Sequence, residues 1–169
     1  MDNRMGIDYT ETKKPIEEEV VDALIKKGLH ISCAESCTGG LLTGRIVNVS
    51  GASYVLNQSY VTYANEAKHK LLKVKKKTLK KHGAVSKQTA KQMAVGVAKA
   101  SKAEVGVAVT GIAGPFGGTK DKPVGLVYIA VAYDGKVTVK KCQFYGTRQE
   151  VREASVYKAL KMVKKCLAE

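Results

Sequence analysis

Cys33-Ala34-Glu35-Ser36-Cys37-Thr38-Gly39-Gly40 is the stretch on which the reading of this chain turns. Before it, Leu29-His30-Ile31-Ser32 alternates like a short strand; after it, Leu41, Leu42, Ile46 and Val47 recur at the spacing of a helix face. A run of small and polar residues at a strand-to-helix turn presents free backbone N–H groups with the positive end of a helix behind them. Ser36 in such a place is either a nucleophile aimed at a developing oxyanion or, like Thr38, an N-cap. Gly39 and Gly40 let the backbone approach a ligand closely.

Working outward, Pro15 opens a helix with Glu17, Glu18 and Glu19 in its first turn, Lys26 and Lys27 in its last, and Gly28 as its stop. Ile16, Val20, Leu24 and Ile25 form its predicted buried stripe. Residues 1–14 lack periodicity and are read as a flexible leader, leaving residues 15–169 as a single domain. Ser50-Gly51-Ala52-Ser53 is a loop, and residues 54–63 carry enough β-branched and aromatic side chains for a strand. Asn65 is the expected N-cap of a short helix through Leu72, and residues 78–82 add a turn before Gly83. Ser86 caps the clearest helix, where Ala90, Met93, Ala94, Val97 and Ala98 recur at core spacing.

Residues 105–109 are almost wholly apolar, as in a strand covered on both faces. A second glycine-rich loop, Thr110-Gly111-Ile112-Ala113-Gly114-Pro115, follows at the strand end where open α/β sheets bind ligands. Residues 126–133, the Asp134-Gly135 turn and residues 136–144 read as an antiparallel hairpin. Thr147 and Glu150 make a capping box for the last helix, with a stripe of Val151, Ala154, Ala159, Leu160, Val163 and Leu167. Alternating strands and helices with a late hairpin predict an α/β fold, a three-layer α/β/α sandwich with a mixed sheet. Two glycine-rich loops at strand ends predict a pocket.

Composition narrows the function. With 169 residues, 44% hydrophobic and 26% charged, the chain has the makings of one ordinary globular core. The net charge of +14 invites a nucleic-acid reading, yet there is no Trp, only 2 Phe, and no basic stretch interleaved with aromatics. A lysine-rich surface that concentrates anionic small molecules fits better, with no specific nucleic acid as partner. No run is long and apolar enough for a membrane span, and the first residues do not have the order of a signal peptide, so a cytoplasmic protein is expected. Cys33, Cys37, Cys142 and Cys166, with His30, His69 and His82, show no zinc spacing; reduced thiols and no metal are expected.

Six ordered motifs carry a family resemblance. They are residues 34–40, Gly51-Ala52-Ser53, Tyr63-x-Asn65-x-x-Lys68, Gly83-Ala84-Val85-Ser86, residues 110–115 and Lys122-Pro123-Val124-Gly125. In that order they resemble the CinA C-terminal domain, the nicotinamide-nucleotide amidase family, from the first helix to the last. The resemblance implies an enzyme that hydrolyses the carboxamide of nicotinamide mononucleotide to nicotinic acid mononucleotide and ammonia, without metal or other cofactor and as a homodimer. It puts the nucleophile on Ser36, the general base on Lys68 and an assisting threonine on Thr110. Tyr63 and Arg152 come over as substrate-binding residues, with Glu35, Cys37, Thr38, Gly39, Gly40, Gly111 and Gly114 around them. Larger members carry a further N-terminal domain, and the chain resembles the stand-alone form. It departs from the family at Ser50, where a proline is frequent, and at Gln58-Ser59, where two glycines are usual; if those glycines let substrate lie against the strand, the larger side chains would narrow the pocket or change its preference.

The chemistry has its own logic. No histidine lies in either glycine-rich loop, so a base for Ser36 has to be a lysine held neutral. The pKa of Lys68 would need to fall by roughly three units, about 4 kcal/mol, through burial beside Ala67 and Leu71 and through nearby positive charge. Glu35 reads equally as a contact near the nucleophile or as a partly solvated strand end, and Arg152 as a phosphate fork or a helix ornament. Cys37 to Gly40 would supply the oxyanion amides. A second reading keeps the scaffold as a nucleotide-binding or regulatory protein of weak or no turnover; whether Lys68 reaches Ser36 separates the two.

Overall fold

The computed structural model describes residues 14–169. The expected leader lies outside them except for Lys14, whose ammonium pairs with Asp22. The elements in order are α1 (Ile16–Lys27), β1 (Ile31–Glu35), α2 (Leu41–Val47), β2 (Tyr60–Val61), α3 (Asn65–Leu72), α4 (Lys76–His82), α5 (Lys87–Ser101), β3 (Val105–Gly111), β4 (Leu126–Tyr133), β5 (Lys136–Gln143) and α6 (Arg148–Ala168). The strands form one five-stranded mixed sheet in the order β2-β1-β3-β4-β5. β2, β1 and β3 run parallel, while β4 and β5 are antiparallel to their neighbours, so the predicted sandwich and hairpin are both present.

The two faces of the sheet are built from different residues. Along β3, Val105, Val107 and Val109 point to one face, where they join Ile31, Cys33, Val127 and Ile129 under α1, α2 and α6. The alternate residues, with Ala34, Ala130 and Ala132, meet α5 and α3 on the other face. Burying a valine contributes roughly 2 kcal/mol and an alanine much less, so the first face supplies stability and the second supplies closeness. Gly106 shows how close: a Cβ there would run into the Ala94 carbonyl of α5. Gly96 repeats the arrangement one layer further out, where a Cβ would meet the Leu72 carbonyl of α3.

Several local expectations need correction. In α1 the buried side chains are Val20, Val21 and Leu24, whereas Ile25 is exposed. β1 continues to Glu35, so the first three residues of the Cys33–Gly40 stretch belong to the strand itself. Residues 54–63 are not one strand. A 3-10 turn at Ala52–Tyr54 is followed by a lone bridge from Leu56 to Ile31, and only Tyr60–Val61 pair with β1. Side chains explain the gap: Ser32 Oγ donates to the Gln58 carbonyl and the Cys33 amide donates to Ser59 Oγ, displacing ladder bonds. Gln58 and Ser59 therefore lie along β1, away from the pocket they were expected to narrow. Ala64, not Asn65, occupies the N-cap of α3, because the chain leaves β2 extended and turns only there. The Ser86 cap and the Thr147–Glu150 capping box form as predicted.

Candidate active site

The parallel strands deliver three segments to one end of the sheet. Ser36 follows β1, Thr62 and Tyr63 follow β2, and Thr110 sits near the end of β3. Lys68, on α3, turns inward across that end and is 1% exposed. Its Nζ lies 3.1 Å from Ser36 Oγ, 2.8 Å from the Thr62 carbonyl and 3.0 Å from the Tyr63 carbonyl. Carbonyls only accept, so each holds one N–H, and a single tetrahedral position remains toward Ser36. In the ammonium form that position carries a third N–H. In the neutral amine it carries the lone pair, which then accepts the Ser36 hydroxyl proton. The surroundings thus dictate where a neutral Lys68 points its basicity.

Burial drives the lysine toward that neutral form, lowering its pKa from 10.5 to about 8. The expected help from neighbouring positive charge is not what lowers it, and the Cys37 thiol acts weakly in the opposite direction. Nor does Leu71 provide the burial, since it is itself exposed; the cover is the chain of residues 62–63 and the Ser36 turn. Cys37 is no rival nucleophile, because burial pushes its thiol up to about 11.

Ser36, Lys68 and Thr110 line a cavity of about 260 Å³ together with Cys37, Tyr63, Gly111 and Gly114. Thr110 Oγ1 donates its proton to the Ala84 carbonyl at 2.9 Å, which leaves the oxygen as an acceptor toward the cavity. It makes no bond to Lys68. Two larger depressions of about 740 Å³ flank α3 and are rimmed with lysines, but they contain neither Ser36 nor Thr110.

Glu35, Thr38, Gly39, Gly40 and Arg152 are not among the residues that line the cavity. Glu35 is fully buried, not a partly solvated strand end. Its carboxylate accepts the amides of Gly40, Leu42 and Thr43 at 2.8–3.0 Å and the Thr43 hydroxyl at 2.7 Å. These are the orphan donors at the start of α2, so Glu35 is the cap of that helix and fixes the turn carrying Ser36. Gly39 and Gly40 take φ of +58° and +100°, so they serve the turn's geometry and not ligand approach. Arg152 is no free phosphate fork: its guanidinium holds the Cys37 and Thr38 carbonyls at 3.2 and 2.9 Å. Among the amides expected for an oxyanion, Gly39 donates to the Ser36 carbonyl and Gly40 to Glu35. Of the remaining two residues, Cys37 lines the cavity and Thr38 does not.

Sequence reading passed over Arg148. At the first position of α6, it donates to the Gly114 carbonyl at 2.7 Å and to the Tyr63 hydroxyl at 3.2 Å, joining three segments across the cavity. The signal was available in its place directly after the Thr147 cap, where a side chain projects from a helix start. Phe116, also on the cavity, was likewise passed over.

Fold and site together define an α/β domain with a serine–lysine pair at the carboxyl ends of its parallel strands. The chain belongs to the CinA C-terminal domain family, whose pattern matches residues 13–167. A CinA-like protein of Kosmotoga olearia is 50% identical over 94% of this chain and 39% of its own length. The chain thus spans about two fifths of the curated relatives it matches. Among solved structures, the competence/damage inducible protein CihA of Agrobacterium tumefaciens is 44% identical with a TM-score of 0.84, covering 94% of this chain and 99% of its own. The competence damage-inducible protein A of Klebsiella pneumoniae is 34% identical with a TM-score of 0.88, covering 91% and 96%.

Proposed function

We propose that this domain is a carboxamide hydrolase that deamidates nicotinamide mononucleotide through a Ser36–Lys68 dyad. The observation that supports it is the 3.1 Å approach of a buried Lys68 to Ser36, with two carbonyls occupying the other donor positions. With its pKa near 8, roughly a tenth of Lys68 is neutral at pH 7, enough to act as a base. Neutral Lys68 takes the Ser36 proton as Oγ attacks the carboxamide carbon. The Cys37 amide, on the cavity wall beside Ser36, stabilises the oxyanion. Thr110 Oγ1, an acceptor only, receives an N–H of the substrate amide and orients it. Lys68 returns its proton to the departing ammonia, and water then releases the acid from Ser36.

The same reading treats the +14 charge as a surface that gathers anionic nucleotides, and the molecule as a cytoplasmic homodimer. The test is ammonia release from a panel of pyridine nucleotides and plain amides. Turnover of the mononucleotide amide, abolished in a folded Ser36→Ala variant, is the result expected; wild-type turnover in Ser36→Ala sinks the serine mechanism.

A further inference from the structure

Phe116 is 88% exposed, a high value for a phenylalanine, and yet it lies on the wall of the catalytic cavity. Its segment is well held. The Thr119 amide donates to the Lys122 carbonyl at 2.8 Å, the Lys122 amide returns to Thr119 Oγ1 at 3.1 Å, and Lys122 Nζ ties the segment to the His82 carbonyl at 2.7 Å. At its base the Gly125 amide donates to the Ile112 carbonyl at 2.7 Å. A large apolar ring is thus kept in water by a loop whose ends are fixed. Tyr63, 62% exposed and secured through its hydroxyl by Arg148, is the other aromatic ring on the same cavity.

The cavity is small, about 260 Å³, below the range of about 300–1,000 Å³ usual for whole ligands. It admits the reacting carboxamide and its ring, and the rest of a nucleotide has to extend past the lip. We propose that Phe116 is a specificity residue, an aromatic platform on which the ring bearing the carboxamide stacks. This rests on the amidase reading of the Ser36–Lys68 site. The ring of a nicotinamide nucleotide is an N-alkylated pyridinium and carries a positive charge. A chain of net charge +14 with Arg148 at the cavity opposes that charge, and the π-face of a phenylalanine offsets it. An aliphatic amide has no face to place on Phe116 and gains nothing from it.

Binding is read by calorimetry in a Ser36→Ala background, with two probes: nicotinamide mononucleotide, and glycinamide ribonucleotide as the ribosyl phosphate amide lacking a ring. Adding Phe116→Ala is expected to weaken the ringed probe about tenfold and the aliphatic probe less than about twofold. Phe116→Tyr, which keeps the face, restores the loss, whereas Phe116→Leu, apolar but without a π-system, does not restore it fully. Equal binding of the ringed probe with and without Phe116, or equal weakening of both probes, overturns the platform. Ammonia release by the parent protein is measured alongside. Release with an unaffected Phe116→Ala overturns the platform alone, while no release with a ring-selective loss of binding overturns the amidase reading and keeps the platform.

Discussion

Lys68 occupies a place that opposes its own charge, and replacing it by methionine measures how strongly. In the unfolded chain the ammonium persists to about pH 10.5, and in the fold it releases its proton near 8. Between those values the unfolded chain holds the proton more firmly, so stability rises with pH across that window and is lowest below it. The gap of about 2.5 pH units corresponds to about 3 kcal/mol of penalty at neutral pH. With Lys68 1% exposed, solvent screening does little to reduce this. Lys68→Met removes the titration; its lost hydrogen bonds to Thr62 and Tyr63 add an offset that does not vary with pH. Urea unfolding of both proteins at about pH 7 and about pH 9.5 should show the wild type gaining about 2 kcal/mol on the variant. Every other titrating group is common to the two proteins and cancels. A stability difference constant to within about 0.5 kcal/mol across that interval would refute a buried, depressed lysine, and with it the base.

The same lysine sets the rate: kcat/KM should climb with pH and level off above about 8, and Lys68→Arg, which holds its proton throughout, should be nearly inactive. A flat pH profile would point away from Lys68. Glu35→Gln sets an amide NH2 against two of the donors at the start of α2 and should cost about 3 kcal/mol in denaturant unfolding; a loss under about 1 kcal/mol would mean the cap is dispensable. Gly96→Ala pushes α3 away from α5, so it should lower kcat about tenfold with little change in KM; unchanged kcat would show that α3 absorbs the methyl without moving Lys68.

Much of this arrangement was legible because it is local. Capping at Ser86 and Thr147, the apolar run of β3 and the Asp134-Gly135 turn each depend on neighbours a few residues away. The Ser36–Lys68 pairing spans 32 residues and was legible only through the motif resemblance; by residue type Lys68 looks like any other lysine of a basic helix. What escaped depended on partners far along the chain. Arg152 resembles a phosphate ligand until the Cys37 and Thr38 carbonyls, more than 110 residues away, are seen to occupy it. Residues 54–63 have the composition of a strand, but Ser32 and Ser59 side chains interrupt the ladder. Glu35 lies within the motif itself, yet its burial follows from the start of α2 folding back over it.

The small-residue face of the sheet has a consequence for engineering. Ser36 is anchored through its amide to Val109 of β3, Gly106 of β3 admits α5, and Gly96 of α5 admits α3, which carries Lys68. The separation of nucleophile and base is therefore a stack of two tolerances, each machined by a missing methyl group far from the chemistry. Transplanting the Ser36 turn and the Lys68 helix onto another sandwich would carry over the parts without the gauge. A graft that works has to import Gly96 and Gly106 as well, or rebuild the same clearances with a thinner pair of layers.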